Sequence, residues 1–167
     1  MKILLISANT EKINILPLPL GLICVAVAAR NTGHEVELID LMTEADNGAA
    51  FRRVRESVRS FGPDMIGVSV RNIDNQDMAN PVFFLDPVKA LITECRALSN
   101  APVVLGGAGF SIFPQSSLEY LGADMGIRGE GEAALVSLAD ALENRGNPYE
   151  IPGLYIKGRS PAVPVQY

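Results

Sequence analysis

The sequence predicts an α/β fold: a doubly wound, three-layer sandwich around a five-stranded parallel sheet. Three observations predict it. Short, continuously apolar runs such as KILLIS (Lys2–Ser7) and MIGVSV (Met65–Val70) have the texture of strands buried on both faces. Segments of helical periodicity separate them, and glycines (Gly33, Gly62 and Gly122) stand where three of those helices should stop.

The first strand, Lys2–Ser7, is bounded by Ala8-Asn9-Thr10, and the first helix runs over Leu18–Asn31. Glu35–Asp40 alternates polar and apolar, as a strand near a sheet edge does, and Ala49–Phe61 is the second helix. Met65–Val70 is the third strand and Pro87–Ser99 the third helix. Pro102–Gly106 and the short Met125–Arg128 complete the strands, with helices over Pro114–Leu121 and Glu132–Arg145. Alternation of this kind requires right-handed crossovers, and a strand order of 2-1-3-4-5 in a flavodoxin- or Rossmann-like sandwich is expected. After Arg145 the texture changes. The remaining stretch, GNPYEIPGLYIKGRSPAVPVQY, has four prolines, three glycines and one strand-like piece, Gly153–Lys157. It reads as a small hairpin followed by a linker, which divides the chain into a domain at 1–147 and a connecting segment at 148–167 leading to something longer.

A chain of 167 residues, 48% hydrophobic, makes about one domain with one good core. Its net charge of -5 and lack of a basic cluster argue against a nucleic-acid or anionic-lipid surface. The apolar stretch Ile15–Ala29 falls short of the roughly 20 residues that span a bilayer, and a cytoplasmic protein is expected. Cys24 and Cys95 both fall in helical patterns and read as buried, reduced thiols. A single histidine and two cysteines give no zinc-ligand spacing.

Ligands of parallel sheets bind where the strands finish, so the strand ends decide function. The first βα loop has no glycine before Gly21, which rules out a pyrophosphate wrapped on that helix N-terminus, and no Walker loop is present. The acidic residues of a phospho-receiver are absent: Ser7-Ala8-Asn9 and Ser69 stand in their places. What remains is polar but mostly uncharged. Ser7 and Asn9 follow the first strand, and Ser69, Asn72, Asn75 and Gln76 the third. Gly106-Gly107-Ala108-Gly109 follows the fourth, and Gly129-Glu130-Gly131 the fifth. Amides and hydroxyls suit a large neutral ligand bearing many amides, because each buried amide left unpaired costs about 1–3 kcal/mol.

The segments KILLIS, LPLGLICVAVAARNTGHEVELIDL, PDMIGVSVRN, APVVLGGAGFSIFPQ, DMGIRGEGE and IPGLYIKG are similar, in order and spacing, to the N-terminal cobalamin (vitamin B12)-binding domain of radical SAM enzymes. The resemblance covers nearly the whole chain. It implies a module that holds the corrin at the carboxyl ends of the strands, with the nucleotide tail extending down beside the sheet. Ser69, Gly106 and Gly107 would line the tail's channel, where larger side chains would collide with dimethylbenzimidazole. Pro17, Leu20 and Gly21 would shape the first loop under the corrin, with Asn9 beside them and Asn72 near the corrin amides. Gly109 belongs to the same glycine-rich strand end, and Gly129, Glu130 and Gly131 would open the last helix at the tail's other flank. An acid at a helix N-terminus is also favoured by the dipole, by about 0.3–1 kcal/mol, so capping competes with a ligand role for Glu130 and Glu132.

Cobalamin modules of the methionine synthase and mutase type carry D-x-H-x-x-G after the first strand, where this chain has Ser7-Ala8-Asn9-Thr10-Glu11-Lys12. Its one histidine, His34, precedes the second strand, at the wrong edge of the sheet. The binding mode implied is therefore base-off, without a protein histidine. Arg71, beside the end of the third strand, is placed either near the vacant lower face of the cobalt or in an ordinary surface ion pair. The family's chemistry, methyl transfer and other radical conversions, depends on a C-x-x-x-C-x-x-C motif that binds a [4Fe-4S] cluster and S-adenosylmethionine. Cys24 and Cys95 cannot supply it, so the resemblance implies a non-catalytic module with its radical SAM domain downstream. Two other readings stay open on the residues: a freestanding corrinoid binder or sensor, and a flavodoxin-like domain for a flavin or another nucleotide.

Overall fold

The computed structural model describes residues 1–11 and 17–159; part of the first βα loop and the expected linker beyond Arg159 lie outside the described residues. The elements are β1 (Lys2–Ser7), α1 (Leu20–Asn31), β2 (Glu35–Asp40), α2 (Asn47–Phe61), β3 (Met65–Ser69), α3 (Leu85–Leu98), β4 (Val103–Gly106), α4 (Ala108–Ile112), α5 (Pro114–Leu121), β5 (Met125–Ile127), α6 (Glu132–Glu143) and β6 (Leu154–Ile156). The sheet runs β2-β1-β3-β4-β5-β6. Its first five strands are parallel in the expected order 2-1-3-4-5. The sheet also gains an edge: β6 pairs antiparallel with β5, Ile127 opposite Leu154. The C-terminal piece expected to form a small hairpin thus uses β5 as its partner and extends the main sheet.

Alternate residues of the strands feed two cores. Ile3, Leu5, Met65, Val104, Met125 and Ile127 face α1 and α6. Leu4, Ile6, Ile66, Val68, Val103 and Leu105 face the opposite layer, which contains Val54 of α2, Ile92 of α3, Phe110 of α4 and Leu118 of α5. Each such aliphatic side chain fully removed from water contributes about 1.5–3 kcal/mol, which is why near-continuous apolar strands settle in the middle layer. Helix α2 illustrates the local logic. Asp46 caps its start by accepting a hydrogen bond from the Ala49 amide at 2.8 Å, a buried stripe of Ala50, Val54, Ser57 and Val58 faces the sheet, and Gly62 ends it in the left-handed region at φ 62°.

Cys95 is buried as expected, and burial first, with the Glu94 carboxylate second, pushes its thiol up to about 11. Cys24 departs from the expectation: it is exposed on the outer side of α1, whose buried positions are the small Ala26 and Ala29. Apolar residues nearly encircle α1, so periodicity could not tell which side faces the sheet. His34 is buried at the amino edge of the sheet, its Nδ1 3.3 Å from the amine of Met1 and its Nε2 3.7 Å from Asp140. Among the described residues no helix is long and apolar enough to cross a membrane.

Candidate functional site: a cleft at the carboxyl edge of the sheet

Strand register stacks the α1/α6 face of the sheet into rows. At the carboxyl rim Ser7 pairs with Ser69, and Ser69 with Gly106. One row inward lie Leu5, Gly67 and Val104; a further row in, Ile3 pairs with Met65. The first two rows line a cleft of about 590 Å³ and the third does not. Small residues hold it open. Serine and glycine fill the rim row, and the mid-strand Gly67 leaves room that Leu5 leans into, since a Cβ there would lie 2.6 Å from Leu5 Cδ2. Leu22 and Val25 of α1 and Leu135 of α6 form the other wall, and Ile127 of β5 closes one side.

Two loops meet across the mouth. The Ser111 hydroxyl donates to the carbonyl of Gly107 at 3.0 Å and accepts from the amide of Gly129 at 3.1 Å, joining the turns that follow β4 and β5. Gly129 has φ 86°, a conformation that costs a side-chain-bearing residue. Gly131 precedes α6 without a side-chain cap, and a Cβ there would come within 3.0 Å of Val25 Cγ2, so glycine lets α6 lie close against α1. Glu132 stands in the first turn of α6, where the helix dipole favours it.

Asn9, Pro17, Leu20, Gly21, Ser69, Gly106, Gly107, Gly129, Glu130 and Gly131 all line this cleft. Their roles divide. A Cβ on Gly106 would touch nothing within 4 Å, so the fold does not require glycine there and a side chain would project into open space. Gly107, at φ 93°, and Gly109 are backbone glycines: a Cβ on Gly109 would lie 3.0 Å from the Arg71 carbonyl oxygen. Gly109 is buried outside the cleft lining. Asn72 also stands apart, in a neighbouring hollow of about 190 Å³ shared with Asn9, Arg71 and Phe84. Asn75 is occupied within its own loop, accepting from the Val82 amide at 3.0 Å and donating to the Asn80 carbonyl at 2.9 Å. Arg71 lines both hollows and is exposed, and among the described residues its guanidinium makes no ion pair.

Sequence reasoning missed Ser111 and the apolar interior: Leu5, Leu22, Val25, Gly67, Val104, Ile127 and Leu135. For Gly67 a signal existed, because glycine inside a strand marks a close approach or a gap. The other apolar residues look like ordinary core, and Ser111 looks like an ordinary polar position of a short helix.

A doubly wound sheet with a cleft at its carboxyl edge, walled by two helices and lined at its rim by small residues, has the form and the place of a ligand-binding site in an open α/β fold. The chain belongs to the B12 binding domain family, whose sequence model matches residues 6–139. It is 36% identical over 154 residues, 91% of its length, to a tryptophan 2-C-methyltransferase of Streptomyces laurentii, of which it covers 25%. It is 31% identical over 138 residues to a hopanoid C-3 methylase of Methylococcus capsulatus, covering 81% of this chain and 24% of that protein. The solved structure of TsrM from Kitasatospora setae, a radical S-adenosylmethionine methyltransferase with cobalamin and [4Fe-4S] cluster bound, superposes with a TM-score of 0.90 at 32% identity, covering 99% of this chain and 29% of that one. The chain thus spans about a quarter of the length of the curated relatives it matches.

Proposed function

We propose that this chain is the cobalamin-holding module of a larger radical S-adenosylmethionine enzyme, a methyltransferase or a related radical enzyme. The carboxyl ends of the strands would hold the corrin, and the cleft between the sheet and the α1/α6 wall would take its nucleotide tail. The observation that carries this reading is the rim row of Ser7, Ser69 and Gly106 above a cleft two rows deep, with free space where a Gly106 side chain would go. Such a trench fits a long tail better than a flavin or nucleotide phosphate, for which the described part of the first loop offers no amide cradle.

Binding would be base-off without a protein histidine, because the one histidine, His34, sits at the amino edge and the segment Ala8 to Lys12 after the first strand carries no imidazole. Cobalamin supplies a methyl-carrying cobalt centre when bound; the residues of this chain bind and orient it. Pro17, Leu20 and Gly21 support the corrin from the first loop, Asn9 and Asn72 offer amides at its periphery, and Glu130 flanks the tail. Arg71, exposed and without an ion pair among the described residues, would stand near the lower face of the bound group and disfavour a water ligand there. The proposal assigns residues 1–147 to this module and 148–167 to the connection with a cluster-bearing domain in a cytoplasmic protein; neither nucleic acid nor a membrane enters it.

The test is direct. The purified chain is mixed with hydroxocobalamin, desalted, and its visible spectrum recorded. Retained corrin absorbance of base-off form is expected; no retained absorbance, aerobically or anaerobically, contradicts the reading.

A further inference from the structure

The cleft changes character with depth. At the rim it presents the hydroxyls of Ser7 and Ser69; one row inward, about 7 Å further along the strands, it presents Leu5, Gly67 and Val104. Leu5 and Val104 are almost wholly buried, as are Ile127 and Leu135 beside them. Across from them stand Leu22 and Val25 of α1. The backbone N–H and C=O groups of the inner row are committed to the parallel ladder between β1, β3 and β4. Among the described residues, the inner half of the cleft therefore offers a guest neither a donor nor an acceptor.

We infer that this inner half selects among cobamides by the base that ends their nucleotide tail, accepting an apolar benzimidazole or phenol and disfavouring a purine. The inference rests on the cobalamin reading above and adds a specificity to it. A dimethylbenzimidazole or cresol ring buries methyl groups and an aromatic face against Leu5, Leu22 and Val104. An adenine ring carries an exocyclic amine and further ring nitrogens, and each leaves its water partners for a wall that cannot replace them. The hydroxyls that could serve it, Ser7 and Ser69, sit a row too high and are met by the ribose and phosphate part of the tail.

The experiment compares three probes on the same chain by spectroscopic titration: p-cresolylcobamide, adeninylcobamide and cobinamide, which has no base. The expected result is at least tenfold tighter binding of p-cresolylcobamide than of adeninylcobamide, a gap equivalent to about 1.4 kcal/mol. Two variants then place a polar group in the wall, Leu22→Gln on the half-buried face of α1 and Val104→Thr, which keeps the side-chain shape. Circular dichroism confirms that each is folded. At least one of them should narrow the gap threefold or more. Any difference arising from the cobalt's own affinity for the base is the same in variant and parent, so the change in the ratio reports the wall alone. Equal affinity for the two complete cobamides, or a gap that neither folded variant alters, overturns the inference and leaves the cobalamin reading standing. If neither complete cobamide binds more tightly than cobinamide, the tail does not enter the cleft and both fail.

Discussion

Gly107 lies so close to Val70 that a Cβ on it would stand 2.5 Å from the Val70 carbonyl oxygen, and its own φ of 93° already excludes most side chains. Its neighbour Gly106 is free of both constraints. Two adjacent glycines thus answer to different demands, one to the backbone and one to the space beside it. Gly107→Ala should destabilise the fold by about 1–3 kcal/mol, the cost of a strained backbone position, whereas Gly106→Ala should change stability by less than about 1 kcal/mol. Urea unfolding of the two variants checks this; equal losses would contradict it.

On the opposite face, Gly126 of β5 lies against the Phe110 ring, with a Cβ position 2.2 Å from Cζ. Phe110 is fully buried and meets Tyr155 of β6 edge-on at 6.3 Å, so it has nowhere to retreat. Gly126→Ala should therefore cost about 1–3 kcal/mol through overpacking and lower the melting temperature. An unchanged melting temperature would show that the ring can move.

The two thiols should separate in a reactivity assay. With dithionitrobenzoate at pH 8, exposed Cys24 reacts promptly and buried Cys95 only after unfolding. Because the Cys95 thiol is raised from 9.0 to about 11, the folded chain keeps a proton there that the unfolded chain releases first. The contribution is full below pH 9 and lost as the pH rises toward about 11. A Cys95→Ala variant should lose stability less steeply over that window than the parent; parallel pH profiles would argue against it.

The loop after β3 depends on Asn75, whose side chain ties Val82 and Asn80 together. Asn75→Ala should speed amide hydrogen exchange across residues 72–84 while leaving the core strands protected, as measured by mass spectrometry. Unaltered exchange in that loop would show that the Asp74–Phe83 bridge suffices.

Most of the architecture was legible because strands buried on both faces carry their apolar signal without help from partners, as in KILLIS and MIGVS. The boundaries moved for local reasons. Helix α3 starts at Leu85 rather than Pro87, because a proline in the first turn forfeits no intrahelical hydrogen bond and so does not mark the start. The pairing of β6 with β5 was not legible, since nothing in Gly153–Lys157 names a partner nearly thirty residues back. At the site, glycines and polar residues at strand ends announced the rim. The inner row did not announce itself: Leu5 and Val104 obey the same apolar pattern whether a helix or a cleft covers them, and only register places Gly67 between them.

The central claim is that the trench beside Ser69 and Gly106 receives the tail of cobalamin, and Gly106→Leu tests it most directly. A Cβ there meets nothing within 4 Å, so a leucine starts out in open space on the side of the trench. The account predicts a variant with the parent's circular dichroism spectrum and melting temperature that retains at least tenfold less cobalamin after gel filtration. A folded variant that holds cobalamin as tightly as the parent would contradict it.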